Sequence, residues 1–175
     1  IFIDSVIDEG IFKDLKICYE NTNSFLRKFA YINPPLKIIS IDKASDEFQR
    51  NVFHYPKGIF NLLDYYIAKQ EYQVPLPLLR VDIEKKAGDF SYKIGLCYCS
   101  LWFKKCLIKS YAGNTETLLG GSLLDGIFDG LILSIKTLAK KENTSIVINK
   151  SLAKEQLILL AAVTGDNLIF AGSVK

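Results

Sequence analysis

The sequence contains no methionine, a single histidine and a single tryptophan among its 175 residues. Because the first residue is Ile1 rather than methionine, we expect the chain to be a piece of a longer protein. No apolar run reaches the roughly 18 to 20 residues that a membrane-spanning helix needs, and no segment has the basic start and cleavage site of a signal peptide. The sequence therefore predicts a soluble segment with no membrane partner.

The composition is that of one packed globular domain. Hydrophobic residues make up 49% of the chain and charged residues 23%, which excludes intrinsic disorder and low-complexity classes. The net charge is +3, from 22 Lys and Arg against 19 Asp and Glu. A balance this small permits contact with DNA, but it does not by itself identify a protein that binds polyanions.

Metal and disulfide chemistry have little support in the sequence. The four cysteines, Cys18, Cys97, Cys99 and Cys106, include no Cys-x-x-Cys pair and are accompanied by one histidine. Cys97 and Cys99 lie in an alternating stretch that is typical of a strand. We interpret all four as buried free thiols of a reducing cytosol, and we expect no metal site.

Candidates for catalysis are few. The position of His54, before Tyr55-Pro56 and after a strand-like run, is typical of a structural histidine rather than a general base. Asp82 and Glu84 share one strand face, as exposed edge residues commonly do. The free amides of Gly120-Gly121-Ser122 could bind an anion at the start of a long helix, although a plain backbone turn is the favoured interpretation. Since no Walker-type pattern accompanies these glycines, a P-loop nucleotide site is excluded.

Hydrophobic periodicity predicts an α+β domain in which helices cover one face of a mainly antiparallel sheet. The third to fifth predicted strands should form an antiparallel meander, and the last, nearly all apolar, should be central. The predicted helices cover residues 9–33, from 56 to before 73, 118–141 and a short turn from 151, and the strands cover 36–42, 52–54, 79–85, 90–99, 102–110 and 157–163.

The strongest helix prediction covers residues 118–141. Ser122 and Asp125 resemble a capping box, and apolar residues follow at helical spacing. The segment is apolar nearly all round, so we expect it to be deeply buried. Lys136, Lys140 and Lys141 near its end are consistent either with DNA contact or with a solvated helix end that the dipole favours.

The last residue, Lys175, follows a glycine-containing loop that leaves the predicted central strand. A single ammonium group in such a place can contact a phosphate as a point charge. Terminal lysines are more often only solvated, so the pattern alone leaves both interpretations open.

Several stretches resemble the B subunits of the bacterial type IIA topoisomerases, DNA gyrase and topoisomerase IV. Leu-Arg-Lys-Phe-Ala-Tyr-Ile-Asn at 26–33 is similar to Leu-Arg-Glu-Leu-Ala-Phe-Leu-Asn in that family, and Phe-His-Tyr-Pro-Lys-Gly-Ile at 53–59 to Phe-His-Tyr-Pro-x-Gly-Leu. Residues 111–114, then Gly-Gly-Ser at 120–122 and Gly126, are similar to an Asn-Asn-Ile segment followed by Gly-Gly-Thr-His-x-x-Gly-Phe. The matches keep the family's order over nearly the whole chain.

The end of the chain carries the match on which the expected function depends. Ala-Lys-Glu-Gln-Leu at 153–157 is similar to Ala-Arg-Glu-Gly-Leu, and the residues that follow bring Phe-Ala-Gly-Ser-Val-Lys at 170–175 onto Phe-x-Gly-Gln-Thr-Lys. By this resemblance Lys175 is the expected catalytic residue, in contact with the γ-phosphate of ATP, and Ser173 is a second cofactor-binding residue. The Mg²⁺ that accompanies ATP would be held by an ATPase domain that this segment lacks.

The resemblance implies that residues 1–175 are a single domain, the transducer, which follows a GHKL-type ATPase domain of the same chain. In that family the transducer has a ribosomal-protein-like fold with a left-handed βαβ crossover, and it couples ATP binding and hydrolysis to movement of a DNA gate. The implied partners are DNA, a second B subunit and the topoisomerase A subunit, in the cytoplasm. Since the segment holds no GHKL motif, catalytic tyrosine or acidic metal cluster, it is not expected to hydrolyse ATP or cleave DNA alone.

Three positions depart from the family pattern: Ser173 replaces glutamine, Val174 replaces threonine and Leu123 replaces histidine. These departures motivate a second hypothesis, a non-enzymatic interaction domain of the same fold that has lost nucleotide coupling. A third is the equivalent domain of a MutL-like mismatch-repair GHKL ATPase, against which the segment at 53–59 argues.

Overall fold

The computed structural model describes residues 1–4, 6, 18–43, 49–69, 79–99 and 106–169. These residues contain helices and strands that lie close to the predicted ones. In chain order they are α1 (Tyr19–Ile32), β1 (Lys37–Asp42), β2 (Gln49–His54), α2 (Ile59–Lys69), β3 (Leu79–Ala87), β4 (Phe90–Tyr98), β5 (Leu107–Ala112), β6 (Thr115–Glu116), α3 (Ser122–Lys141), α4 (Lys150–Lys154) and β7 (Leu157–Thr164).

The strands form two sheets. β1 and β2 are an antiparallel pair, and the other strands form a sheet in the order β3-β4-β7-β5-β6. Within this larger sheet only β5 and β7 are parallel, and α3 and α4 connect them as a β-α-β crossover. The predicted α+β class and mainly antiparallel sheet are therefore confirmed.

β7 is the central strand of the larger sheet, as its apolar sequence predicts. Residues 157–163 are all buried. Ile158 and Leu160 pack with α2, whereas Leu157 and Leu159 pack on the opposite face with Phe128 of α3. Because β7 is apolar on both sides, helices cover both faces of the sheet: the predicted layer is present, and α3 and α4 add a second one.

The predicted three-stranded meander is wrong in its last strand. β3 and β4 do pair, across a turn in which Gly88 has a φ of +58°. β5, however, is not the neighbour of β4, because β7 lies between them and pairs with β5 in parallel, Leu107 opposite Ile158. The strand that is apolar on both faces takes the centre, where both faces are buried, and separates strands that are neighbours in sequence.

An aromatic contact holds α1 against the connection from β2 to α2. α1 ends at Ile32, shortly before Pro34 and Pro35. The ring of Tyr31 stacks on Tyr55 with 3.7 Å between the centroids. Gly58 has a φ of +60°, and a Cβ atom there would lie 2.6 Å from Cγ of Pro34, so the sharp turn into α2 requires glycine on both grounds.

α3 is less buried than its apolar sequence predicts, and the expectation of deep burial is wrong. Phe128 and Ala139 are its buried residues, while Leu133 is 67% exposed. Its N-cap is Gly121, without a side-chain cap hydrogen bond, so the predicted capping box of Ser122 does not form. α3 contacts the sheet along one stripe only and leaves apolar surface on either side. Crossing a bilayer needs more length and apolar character than any helix in the described part of the chain has.

Candidate functional site

The predicted site residues Ser173 and Lys175 lie outside the residues that the structure describes. What the structure does place is the segment that leads to them, residues 164–169, which we call the β7 exit. It begins at the last residue of β7, at the end of the sheet where the parallel neighbour β5 also ends. The contacts that fix the direction in which the chain leaves the sheet therefore define the candidate site.

One side of the β7 exit is held by the turn between β3 and β4. Gly165 packs against the ring of Phe90, the first residue of β4: a Cβ atom at position 165 would lie 2.5 Å from Cδ1 and 2.9 Å from Cε1 of that ring. The same atom would lie 3.0 Å from the carbonyl oxygen of Asp89. Real Cβ atoms essentially never come within 3.0 Å of another atom, so a side chain at position 165 would require the Phe90 ring or the β7 exit to shift.

The other side is held by the turn between β5 and β6. The amide of Gly113 donates a hydrogen bond to the carbonyl oxygen of Val163 at 2.8 Å. Gly113 has a φ of +57°, and a side chain of Leu168 lies 3.8 Å from where its Cβ would be. The chain thus leaves the sheet between two glycine-containing turns that are each part of a strand pair.

The glycines before α3 are explained by backbone geometry. Gly120 and Gly121 have φ values of +82° and +131°, a region that favours glycine. The amide of Gly120 donates to the carbonyl oxygen of Thr117 at 3.1 Å, and Gly121 accepts from the amide of Asp125 at 3.1 Å. These bonds close the turn and the first helical turn, so they support the backbone interpretation over the anion site.

A groove of about 810 Å³ runs between α3 and the face of β3 and β4. Apolar side chains of the sheet, among them Val81 and Ile94, form its floor. Gly126 and Gly130 of α3 form one wall, and Leu168 and Ile169 of the β7 exit line it as well. The β7 exit therefore lies along the edge of an apolar groove.

The other candidate catalytic residues have structural roles. Nδ1 of His54 lies 3.2 Å from the carbonyl oxygen of Leu36, which ties the ends of the β1–β2 pair together. Asp82 forms an ion pair with Arg80 at 2.9 Å, and Glu84 forms one with Lys93 at 3.0 Å. Each acid is thus paired across or along strands, and the interpretation as edge residues is confirmed.

The cysteines form two classes, so the prediction that all are buried is wrong for two of them. Cys97 and Cys99 are buried, and Cys18 and Cys106 are exposed free thiols. Burial, followed by the neighbouring Cys99, raises the pKa of the Cys97 thiol to about 12. Within the described ranges no group of His, Cys, Asp or Glu is large enough to hold a metal ion.

This difference predicts the pattern of thiol reactivity. In the folded protein at pH 8 a disulfide reagent should modify Cys18 and Cys106 rapidly, because both are accessible. Cys97 and Cys99 should stay protected until the chain unfolds, since burial blocks access and keeps the thiols protonated. Raising the pH towards 9 should not release them, because the pKa of Cys97 lies well above that value. Rapid modification of all four in native buffer would contradict the burial of the pair; a Cys18→Ser, Cys106→Ser variant should show no rapid phase.

The basic end of α3 is accessible. Lys136, Lys140 and Lys141 are exposed, and none of them forms an ion pair with another described residue. Lys150 at the start of α4, by contrast, pairs with Asp129 at 3.0 Å and Asp125 at 3.4 Å. The exposed cations are thus available to an anionic partner, although solvation explains their positions equally well.

Sequence reasoning missed the residues that hold the β7 exit. The sequence indicates Gly165 only as part of a loop, Phe90 as the start of a strand and Gly113 as part of the segment 111–114. Their role depends on contacts between segments far apart in sequence, which no local pattern encodes. The only local signal was the glycine directly after a continuous apolar strand.

Comparison with known proteins relates the chain to DNA gyrase. No family model matches the sequence. The B subunit of DNA gyrase from Synechocystis is 26% identical over 137 residues, which are 78% of this chain and 12% of that protein. The B subunit from Chlamydia muridarum is 28% identical over 156 residues, 86% of this chain and 19% of its own length. The chloroplastic/mitochondrial gyrase B of Nicotiana benthamiana is 24% identical over 176 residues, 96% of this chain and 23% of its own length. The chain therefore spans less than a quarter of each of these relatives.

Solved structures show the same fold. The 43K ATPase domain of Thermus thermophilus gyrase B, solved with an aminocoumarin, has a TM-score of 0.74 at 21% identity and aligns with 94% of this chain and 44% of its own. The topoisomerase IV ATP-binding domain of Francisella tularensis has a TM-score of 0.74 at 21% identity over 96% of this chain and 44% of its own. The fold is thus one found in the ATPase regions of topoisomerase B subunits. By sequence, the chain is homologous to part of the B subunit of DNA gyrase.

Proposed function

We propose that the chain, over residues 1–175, is the ATP-coupling transducer of a type IIA topoisomerase B subunit. It would act within a longer protein whose GHKL ATPase domain precedes it. The proposal is supported by the similarity to gyrase B subunits over most of the chain and by the likeness of the fold. The β-α-β crossover from β5 to β7 corresponds to the crossover expected for the transducer, whose left-handed sense belongs to the same proposal.

The observation that carries the proposal is the position of the β7 exit. The central strand of the sheet, buried over residues 157–163, continues through the β7 exit to residues 170–175, whose sequence resembles the family's Phe-x-Gly-Gln-Thr-Lys loop. The β7 exit is held on one side by the β3–β4 turn, which Gly165 meets, and on the other side by the hydrogen bond from the amide of Gly113 to the carbonyl oxygen of Val163. A loop anchored this way can transmit a pull from its tip to the whole sheet rather than absorb it locally.

Lys175 would supply the chemistry at that tip. A lysine ammonium beside the γ-phosphate of ATP stabilises the negative charge on the transferring phosphoryl group, with Mg²⁺ held by the ATPase domain. Once the phosphate leaves, the lysine loses its partner and the loop is released. Ser173 is short for the place that a glutamine occupies in the family, so in this proposal most of the contact rests on Lys175.

Release of the loop would be transmitted to DNA and to the other subunits. The exposed lysines at the end of α3 are the candidates for DNA contact, because they present unpaired positive charge on a rigid helix. A second B subunit and the topoisomerase A subunit are the expected protein partners. The activity of the whole enzyme, ATP-driven passage of DNA through a gate, depends on parts that the 175 residues do not contain.

Hydrogen exchange tests the coupling. In the longer protein, binding of a non-hydrolysable ATP analogue should slow amide exchange in residues 166–175, because the loop becomes fixed to the nucleotide. Amides of β1 and β2, which form the separate two-stranded sheet, serve as the internal control and should not change. Equal exchange with and without the analogue would reject nucleotide coupling and favour the non-enzymatic interaction domain.

A further inference from the structure

The described part of the chain consists of two structural units. The first, which we call the hairpin unit, contains α1, β1 and β2: the Tyr19 hydroxyl of α1 donates to the carbonyl oxygen of Gln49 at 3.2 Å and accepts from Nδ2 of Asn51 at 3.1 Å. The second, the five-stranded unit, contains the larger sheet with α2, α3 and α4. None of the described strands pairs across the two units, and their main contact is that of α1 with α2. The angle between the units is therefore set by the side chains near the end of α1.

Tyr31 belongs to the hairpin unit in sequence and to the five-stranded unit in packing. It lies in the last turn of α1, but its side chain is 4% exposed and is part of the core cluster that includes Leu63 of α2 and Ile158 and Leu160 of β7. A large ring inserted into a packed core resists displacement, because moving it would open a cavity. Tyr31 therefore fixes the end of α1 to the five-stranded unit.

The link between the units runs directly against the end of α1. Residues 55–58 connect β2 to α2, and the ring of Tyr55 stacks on Tyr31 with an interplanar angle of 20°. The amide of Gly58 donates to the carbonyl oxygen of Tyr55 at 2.8 Å, which closes the turn. A Cβ atom at position 58 would lie 2.6 Å from Cγ of Pro34 and 3.2 Å from the carbonyl oxygen of Tyr31, so no side chain fits between the link and the helix end.

Arg27 connects the two units one turn before Tyr31. Its guanidinium carbon lies 5.5 Å from the centroid of the Phe53 ring, which is buried in the hairpin unit. On its other side it reaches the hydroxyl of Tyr65 on α2, and Lys69 followed by Arg27 lowers the pKa of that phenol. The ring of Tyr65 lies 6.2 Å from that of Tyr31. The aromatic rings and the guanidinium group thus form a continuous contact across the boundary.

We propose that Tyr31, Tyr55 and Gly58 form a rigid joint that holds the hairpin unit at a fixed angle to the five-stranded unit. The stacked rings keep the units from sliding past one another, and the glycine turn holds the link too close to α1 for it to act as a flexible tether. A movement imposed on one unit is therefore carried to the other instead of being absorbed between them. This inference goes beyond the proposed function, because it needs neither nucleotide nor Lys175.

The distance between two spin labels, one on each unit, tests the joint. The labels are attached to a ketone-bearing amino acid placed at the exposed positions of Arg50 on β2 and Lys136 on α3, in the longer protein diluted with unlabelled protein. The parent should give one narrow distribution of distances. Tyr31→Ala should widen it, because the hairpin unit can then tilt, and Gly58→Ala should shift its mean, because the new methyl group pushes Pro34 away.

Two matched variants separate the joint from a general loss of rigidity. Tyr31→Phe keeps the ring and should give the parental distribution. Tyr92→Ala makes the same truncation as Tyr31→Ala at a half-buried ring on β4, away from the joint, and should also leave the distribution unchanged. A parental width for Tyr31→Ala, or an equal widening by Tyr92→Ala, would overturn the proposal.

A second variant decides if Tyr31→Ala fails to fold. Tyr55→Ala removes the other half of the stack at a half-buried position outside the helix, so it should widen the distribution as well. A parental width for Tyr55→Ala then rejects the joint. The joint and the proposed function fail separately: if Lys175→Ala keeps the parental ATP turnover while Tyr31→Ala widens the distribution, the proposed function is wrong and the joint stands.

Discussion

Replacing Lys175 by alanine in the longer protein should lower ATP turnover by about 100- to 1,000-fold, the range found when one donor to a developing negative charge is removed. The affinity for a non-hydrolysable ATP analogue should change little, because in this proposal the ATPase domain holds most of the nucleotide and the lysine acts mainly on the transition state. Steady-state turnover and calorimetric titration of the analogue measure the two effects independently.

Two variants sharpen the interpretation of that result. Lys175→Arg keeps the charge but not the compact ammonium, so we expect turnover between those of the parent and the alanine variant. Lys141→Ala removes an exposed charge at the far end of α3 and, assayed without DNA, should match the parent. If Lys175→Ala hydrolysed ATP as fast as Lys141→Ala, the role given to Lys175 would be refuted.

Truncating Leu160 should be the most damaging change to stability. Leu160 is fully buried at the centre of β7, and its neighbour on β4 is Gly95, where a Cβ would lie 3.1 Å from Leu63 and 3.3 Å from Phe60 of α2. Because α2 already sits this close to the sheet, it cannot settle further to fill the space. Leu160→Ala should therefore cost about 3 to 5 kcal/mol of the free energy of unfolding.

Denaturant titration measures that loss as a lower midpoint at an unchanged slope. The matched control is Leu133→Ala on α3, the same truncation at a side chain that is 67% exposed, which should change stability by less than about 0.5 kcal/mol. Losses of similar size for the two variants would show that β7 is not the centre of the core.

Sequence patterns were sufficient to predict the elements that depend on interactions between residues close together in the chain. The proline pair after Ile32 ends α1, the isoleucine-rich alternation forms β1, and the unbroken apolar run of β7 places it at the sheet centre. Each of these features follows either from the backbone conformations that a residue allows or from the burial that a run of apolar residues requires. The resemblance added the relation to gyrase, which composition and charge alone could not provide.

The features that sequence did not reveal depend on distant partners. Nothing in β4 or β5 shows that another strand will separate them, because that strand is encoded after α3 and α4. The exposure of Leu133 follows from how little of α3 the sheet covers, and the exposure of Cys106 follows from its position before β5. Phe90 and Gly165 meet only once the sheet has formed, so their contact has no sequence signature.

The place of β7 also determines when the sheet can be completed during protein synthesis. The strand that holds the middle is made last among the described strands, after both of its neighbours and the helices between. Until it leaves the ribosome, β4 and β5 each have an edge without its final partner and an uncovered apolar face, the condition that invites aggregation of nascent chains. On a ribosome stalled before residue 157, the β3–β4 hairpin should therefore be formed but lack the strand that covers its free edge. Once the eight residues of β7 have left the ribosome, the sheet can be completed.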